Sequence, residues 1–266
     1  MSKRFSDVKL HTTFEDLRLF TDWDNRYYYP EALRFYEMAI DFVVQSLGVR
    51  PGQSILDVGC GPANHSIAFA RRGISCIAID WSQAVLEEAA RRVSGAGLGK
   101  MVQLKQEDIT CLSYADQSFD FIFCWGVLMH VPDLNKGVSE LARVLKPGGR
   151  IAISMSNPRS AQMIAYKILR RIKKGVQGQV SDSPWMESPS GPIFVRGMTF
   201  HDLTNVLEQN HLHVLKVRAG QFADLHSQNI FLRRSICVLN KVWFKTIKTP
   251  LLASGYILIG QKTSIM

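Results

Sequence analysis

The chain has five cysteines, at 60, 76, 111, 124 and 237, and no Cys-x-x-Cys pair among them. An odd, scattered set excludes a disulfide framework and a structural zinc site, and it fits a cytoplasmic, reducing location. Long apolar runs are missing too. The longest clean one, Phe121 to Met129, covers nine residues, where a membrane-spanning helix needs roughly 18. No secretory signal is expected, because Met-Ser-Lys-Arg-Phe leads into charged and polar sequence. His, Asp and Glu do not gather at metal-ligand spacing, so no metal is expected. Internal repeats and low-complexity tracts are absent, and 266 residues leave room for one core with additions.

Acidic residues are scarce in the second half. Residues 1–132 hold 13 Lys and Arg against 16 Asp and Glu, whereas 133–266 hold 19 against 7. Arg159 to Lys174 carries six basic residues and no acidic one, and no Asp or Glu occurs from Leu225 onward. Such stretches attract phosphates, anionic lipid heads or acidic substrates, or else simply face water.

What the sequence does have is an alternation of short apolar strands and helices. Strands are expected at 54–58, 74–80, 101–107, 119–125 and 150–156, with helices at 64–72, 82–93 and 133–145 between them. That rhythm specifies an α/β fold with a parallel sheet. After Asn157 it breaks. A basic amphipathic helix is expected over 161–174, a long Gly/Pro/Ser-rich loop over 175–197, a helix capped by Thr199 to Asn210, and a strand over 212–218. A helix over 230–247 and a last strand over 255–262 follow. At the front, 12–20 and 30–47 read as helices around the aromatic stretch from Trp23 to Tyr29.

The sharpest signal is Ile55-Leu-Asp-Val-Gly-Cys-Gly-Pro-Ala63, a strand running into two glycines one residue apart. Such a loop lets backbone approach a ligand closely. The dinucleotide fingerprint would need a third glycine where Asn64 stands. Asp57 would also repel a pyrophosphate and suits a ligand with a cationic end. Asp80 ends the second strand, where an acid accepts hydrogen bonds from ribose hydroxyls. Asp108, followed by Ile109, stands at the end of the third. Ligands in open α/β sheets bind at strand C-termini, and three acids there point to one site.

These residues resemble the class I S-adenosylmethionine-dependent methyltransferases. The resemblance rests on Leu56-Asp-Val-Gly-Cys-Gly61, Ile79-Asp-Trp-Ser82, Gln106-Glu-Asp-Ile109, Ser118-Phe-Asp-Phe-Ile-Phe-Cys-Trp125, Leu128-Met-His-Val-Pro-Asp133 and Leu141-Ala-Arg-Val-Leu-Lys-Pro-Gly-Gly-Arg150. It is strong over about residues 50–157. It implies a Rossmann-like, seven-stranded, mostly parallel sheet with an antiparallel last strand and helices on both faces. It also implies a helical lid over 1–48 and a methyltransferase domain over 49–266, with insertions at 159–198 and 219–254. Ala63 stands where the family often has another glycine.

The resemblance implies S-adenosylmethionine as cofactor. Gly59, Cys60 and Gly61 would pass under the methionine part, with Asp57 near its ammonium. Asp80 would hold the ribose, Trp81, Asp108 and Ile109 the adenine, and Cys124 and Trp125 would lie beside the sulfonium. Methyl transfer is a displacement that chiefly needs alignment and exclusion of water. His130 is the candidate general base, and Trp23, Tyr28 and Tyr29 the candidate acceptor pocket. The acceptor is expected to be a small apolar or lipid-linked molecule, methylated at oxygen or nitrogen. Basic, apolar segments 159–174 and 230–248 suit peripheral contact with an anionic membrane. Two alternatives stay open: an RNA methyltransferase, and a cofactor-binding protein without turnover. Against RNA, no RNA-binding module is visible, and Cys124-Trp-Gly-Val replaces an Asn-Pro-Pro-Tyr type motif. No DNA partner is expected.

Overall fold

The computed structural model describes residues 13–174, 185–223 and 229–263. Seven strands form one sheet: β1 (Ser54–Val58), β2 (Ser75–Asp80), β3 (Val102–Gln106), β4 (Phe119–Trp125), β5 (Leu145–Ser156), β8 (Leu212–Ala219) and β9 (Gly255–Lys262). Their order is β3-β2-β1-β4-β5-β9-β8. The pairs from β3 through β5 are parallel, and β9 runs antiparallel to both its neighbours. This is the sheet expected from the sequence. Strand order reverses between β1 and β4, and that crevice is where an open α/β sheet takes its ligand.

Both faces are covered, so the central strands are apolar on both sides. Alternate residues of β1 serve different cores: Ile55 packs with the helices of residues 30–47, 64–70 and 83–95 on one face, while Leu56 and Val58 join the other. The helices are α1 (Leu17–Tyr27), α2 (Pro30–Leu47), α3 (Asn64–Ala70), α4 (Gln83–Gly95), α5 (Leu134–Val144), α6 (Ala161–Lys174), α7 (Phe200–Gln209) and α8 (Ile230–Val242). Their ends follow local chemistry. Pro30 opens α2 and Gly48 closes it at φ +74. Ser82 caps α4 by accepting from the Val85 amide, and Thr199 with Asp202 forms a capping box on α7.

Four expectations are corrected. The helix expected over 12–20 is interrupted: Thr13 and Phe14 are helical, the chain turns at 15–16, and a helix resumes as Leu17–Tyr27, so Trp23 lies inside it; Thr12 is outside the described residues. Asp16 sets that start, its carboxylate accepting from the Arg18 amide. The expected 175–197 loop contains a hairpin of β6 (Trp185–Ser188) and β7 (Gly191–Phe194); residues 175–184 lie outside the described residues. The fifth strand begins at Leu145 rather than at 150, because Leu145 already pairs with Phe119; residues 146–149 bulge out, with Gly148 at φ +76, before pairing resumes between Arg150 and Phe121. The helix expected over 230–247 is α-helical to Val242 and ends in a wider turn over Trp243–Ile247.

Candidate functional site

The loop after β1 is built from left-handed residues: Gly59, Gly61 and Ala63 have φ of +65, +52 and +64. Only glycine adopts this region without cost. A Cβ on Gly59 would fall 2.3 Å from Cγ2 of Val127, whereas one on Gly61 would meet only Phe20, at 3.9 Å. Gly59 is therefore required by the close approach of the turn after β4. The Cys60 amide donates to Ile79 O at 2.9 Å, and the Gly61 amide to Asp80 Oδ2 at 3.0 Å. The loop is thus pinned to the end of β2.

Asp57 is 1 % exposed and accepts a hydrogen bond from the Ser66 hydroxyl. Burial pushes its carboxyl up to about 7; the Ser66 bond opposes this and the charge of Asp80 adds to it. Asp80 also accepts from the Ser82 amide at 3.1 Å. Burial raises its carboxyl to about 6, against the amide hydrogen bonds of Ser82, Gly61 and Trp81. Asp108 sits two residues past β3, exposed, and takes the Thr110 amide and hydroxyl at 2.7 and 2.8 Å. The amide of its neighbour Glu107 donates to Asp80 O at 3.0 Å. Ile109 lies beside Gly137 of α5.

A pH signature follows. A carboxyl whose pKa is higher folded than unfolded stabilises the fold at low pH, and that contribution fades as pH rises through the folded value. For Asp57 the window runs from about pH 4 to 7. Asp57→Asn in the unliganded protein is expected to gain stability relative to wild type across this window, by at most about 1.4 kcal/mol per pH unit. Thermal melts at pH 5, 6, 7 and 8 check it, and a constant difference between the two proteins would refute it.

On the β4 side, Cys124 is fully buried and its thiol, like that of Cys60, is pushed up by burial. Trp125 stands against Tyr36, His65 and Phe123, with centroids 6.2, 5.3 and 5.7 Å away. His130 closes a short 3-10 turn over Leu128–His130. Its Nδ1 lies 2.7 Å from Phe194 O. A carbonyl only accepts, so Nδ1 carries the proton and Nε2 the lone pair. Burial lowers the pKa of this imidazole to about 4, which keeps it neutral near pH 7.

A cover of aromatic residues closes over these strand ends. Trp23 stacks on His130 at 5.7 Å, and Phe14 meets His130, Trp23 and Trp81 edge-on at 5.3, 5.9 and 5.7 Å. The cover is fastened by polar contacts. Glu15 accepts from the Ser82 hydroxyl and the Gln83 and Ala84 amides at 3.0, 3.3 and 3.2 Å. Asp24 pairs with Arg92. The Thr13 hydroxyl donates to Pro192 O at 3.2 Å, and the Arg196 amide to Met129 O at 2.8 Å, which tie in the β6–β7 hairpin.

The structure separates the three aromatics expected to share a pocket. Trp23 lies with His130. Tyr28 stacks on Tyr36 at 5.0 Å and touches His65. Tyr29 points at α8, its hydroxyl 3.7 Å from Cys237 Sγ and its ring beneath Arg233. Sequence reasoning missed Phe14, Glu15, Phe20 and Phe194, and His65 as well. His65 is 7 % exposed, among four aromatic rings.

Away from the strand ends, α6 exposes Met163, Ile164, Tyr166, Ile168 and Leu169, and α8 exposes Phe231, Leu232, Val238, Leu239 and Val242, Phe231 by 76 %. Leu251 and Leu252 are exposed as well, and the α6 start is joined to them by the Ala161 amide, which donates to Leu252 O at 3.0 Å. Lys167, Arg234, Lys245 and Lys248 lie exposed among these residues. No helix among the described residues is long and apolar enough to cross a membrane.

Residues 56–153 match the family described as "Methyltransferase domain". The ubiquinone biosynthesis O-methyltransferase of Hahella chejuensis is 32% identical over 211 residues, 74% of this chain and 86% of that one. The demethylmenaquinone methyltransferase of Lactobacillus johnsonii is 38% identical over 112 residues, 41% of this chain and 46% of that one. The chain therefore spans about half the length of that relative. The crystal structure of a SAM-dependent methyltransferase from Methanosarcina mazei superposes with a TM-score of 0.61 at 20% identity, over 84% of this chain and 98% of that one, and shares the fold.

Proposed function

Because the chain belongs to the class I S-adenosylmethionine-dependent methyltransferases, we propose that it methylates an oxygen or nitrogen of a small, apolar, quinone-like acceptor. The observation that carries this reading is the glycine loop held to Asp80 beside buried Asp57 at adjacent strands, where Gly59 admits no side chain. The residues fit the cofactor. Asp80, already accepting two amides, is the ribose acceptor; Trp81, Asp108 and Ile109 border the adenine; Asp57, Gly59, Cys60 and Gly61 border the methionine part, and Cys124 and Trp125 the sulfonium. When bound, the cofactor supplies an electrophilic methyl group on a sulfonium.

The chain's own contribution is alignment, dryness and a base. Residues 13–29 act as the lid, since α2 behind them is core: Phe35, Ala39, Ile40 and Val43 are buried under the sheet face. Phe14, Trp23 and the hairpin exclude water, and Trp23, stacked on His130, guides the acceptor. His130 takes the acceptor's proton at Nε2, its tautomer set by Phe194 O. His130→Asn is expected to lower kcat by about 100-fold or more while leaving affinity for S-adenosylhomocysteine within twofold of wild type. Equal losses in both quantities would assign His130 to packing.

The quinone class is supported by the names of the relatives, and the apolar character by the exposed α6 and α8 faces. A shallow groove of about 480 Å³ runs along Arg234, Val238, Leu239 and Val242. These faces rest on an anionic membrane from which a lipid-linked acceptor is drawn, each nearby cation contributing about 1 kcal/mol. Co-sedimentation with phosphatidylglycerol vesicles at low salt is expected, with little binding to phosphatidylcholine vesicles. Phe231→Glu combined with Leu169→Glu is expected to weaken it by about tenfold or more. Absence of binding to anionic vesicles would remove the membrane contact. Incubation with methyl-labelled cofactor and fractionated extract tests the function itself: label in the lipid or quinone fraction supports it, and label in RNA refutes it.

A further inference from the structure

We propose that His65 receives the carboxylate of the cofactor's methionine moiety, through a hydrogen bond donated by Nε2. The assignment rests on the cofactor reading above and adds to it a residue that the glycine loop motif does not contain. His65 is the second residue of α3, four past Gly61, and its neighbour Ser66 donates to Asp57. It is 7 % exposed, and Nε2 is closed off from solvent without a hydrogen-bond partner. Buried polar atoms are almost always paired, so an orphan at a ligand site marks the place of a missing acceptor.

The surroundings say what that acceptor is. Tyr28, Tyr36, Phe123 and Trp125 wall the imidazole at centroid distances of 5.9, 5.9, 5.3 and 5.3 Å. Tyr28 lies at the junction of α1 and α2 and Trp125 at the end of β4, so the imidazole stands between the N-terminal cover and a strand end. An amino-acid tail brings one ammonium and one carboxylate. The ammonium suits Asp57, and Asp57 with Asp80 repels the carboxylate, which must turn away from them toward a donor. Arg92 reaches Asn64 beside His65 at 3.3 Å, but Asp24 and Glu88 already engage it. His65 offers a neutral N–H in a water-poor aromatic wall, where a hydrogen bond to a charge is strong.

Calorimetry on the full chain tests this with two probes: S-adenosylhomocysteine and its decarboxylated analogue. His65→Leu is expected to weaken S-adenosylhomocysteine by about 10- to 100-fold and the analogue by less than twofold. Because the analogue reports a folded site, its retained binding guards against a merely misfolded variant. His65→Gln, which keeps an N–H donor, is expected to recover most of the loss. Equal weakening of both probes, or none of either, would overturn the assignment. Failure of wild type to bind either probe would instead overturn the cofactor reading, and the assignment with it.

Discussion

Asp80→Ala is expected to weaken binding of S-adenosylhomocysteine by about 100-fold or more. The carboxylate already holds the Gly61 and Ser82 amides and so fixes the glycine loop to β2. Hydrogen bonds to a charged group are worth about 1.5–3 kcal/mol each. Losing two of them to a ribose, with the loop freed as well, amounts to about 3–6 kcal/mol. Asp80→Asn should fall between, since it keeps one acceptor oxygen. The fold itself should suffer less than binding does, because burial already penalises this carboxylate and has raised it to about 6. Calorimetry together with a thermal melt separates the two effects. A variant that binds as wild type does would remove Asp80 from the site.

Gly59→Ala is expected to abolish detectable cofactor binding and to destabilise the chain by about 2–5 kcal/mol. Two costs add. A non-glycine residue at φ +65 pays roughly 1–2 kcal/mol. The new Cβ would also overlap Val127, and overpacking typically costs about 1–3 kcal/mol. Val127→Ala in the same background should return the overpacking share and leave the backbone share. Gly61→Ala should show only the backbone share, since its Cβ position is nearly open. Denaturant unfolding of these variants measures each share, and a Val127→Ala rescue that restores nothing would contradict the steric account.

The parts of the molecule that were legible beforehand are those where local pattern and global fold agree. Apolar strands alternating with capped helices specified the sheet, and Asp57, Asp80 and Asp108 were read at strand ends because those ends are where the pattern stops. A lid was expected from the resemblance, but the contacts that fasten it were not legible. Phe14 and Glu15 act through contacts to His130, Trp81 and Ser82, residues remote in sequence, and no local periodicity announces such pairs. The β6–β7 hairpin was hidden by its Pro and Ser content, which reads as loop, although Pro189 and Ser190 form its turn and Gly191, at φ +120, closes it against Ser188. His65 follows the glycine loop with polar neighbours on both sides, so it reads as exposed. Only the packing of α2 across α3 reveals its burial. Tyr28 and Tyr29 are adjacent in sequence but fall at the junction of α1 and α2, where the chain turns and sends them to different partners.

The most direct measurement is a crystal structure of the chain with S-adenosylhomocysteine bound. The account expects both ribose hydroxyls within hydrogen-bond distance of Asp80, the adenine between Trp81 and Ile109 with Asp108 at its edge, and the methionine tail over Gly59 and Gly61. A nucleoside found elsewhere on the sheet, or Asp80 turned away from it, would contradict the account.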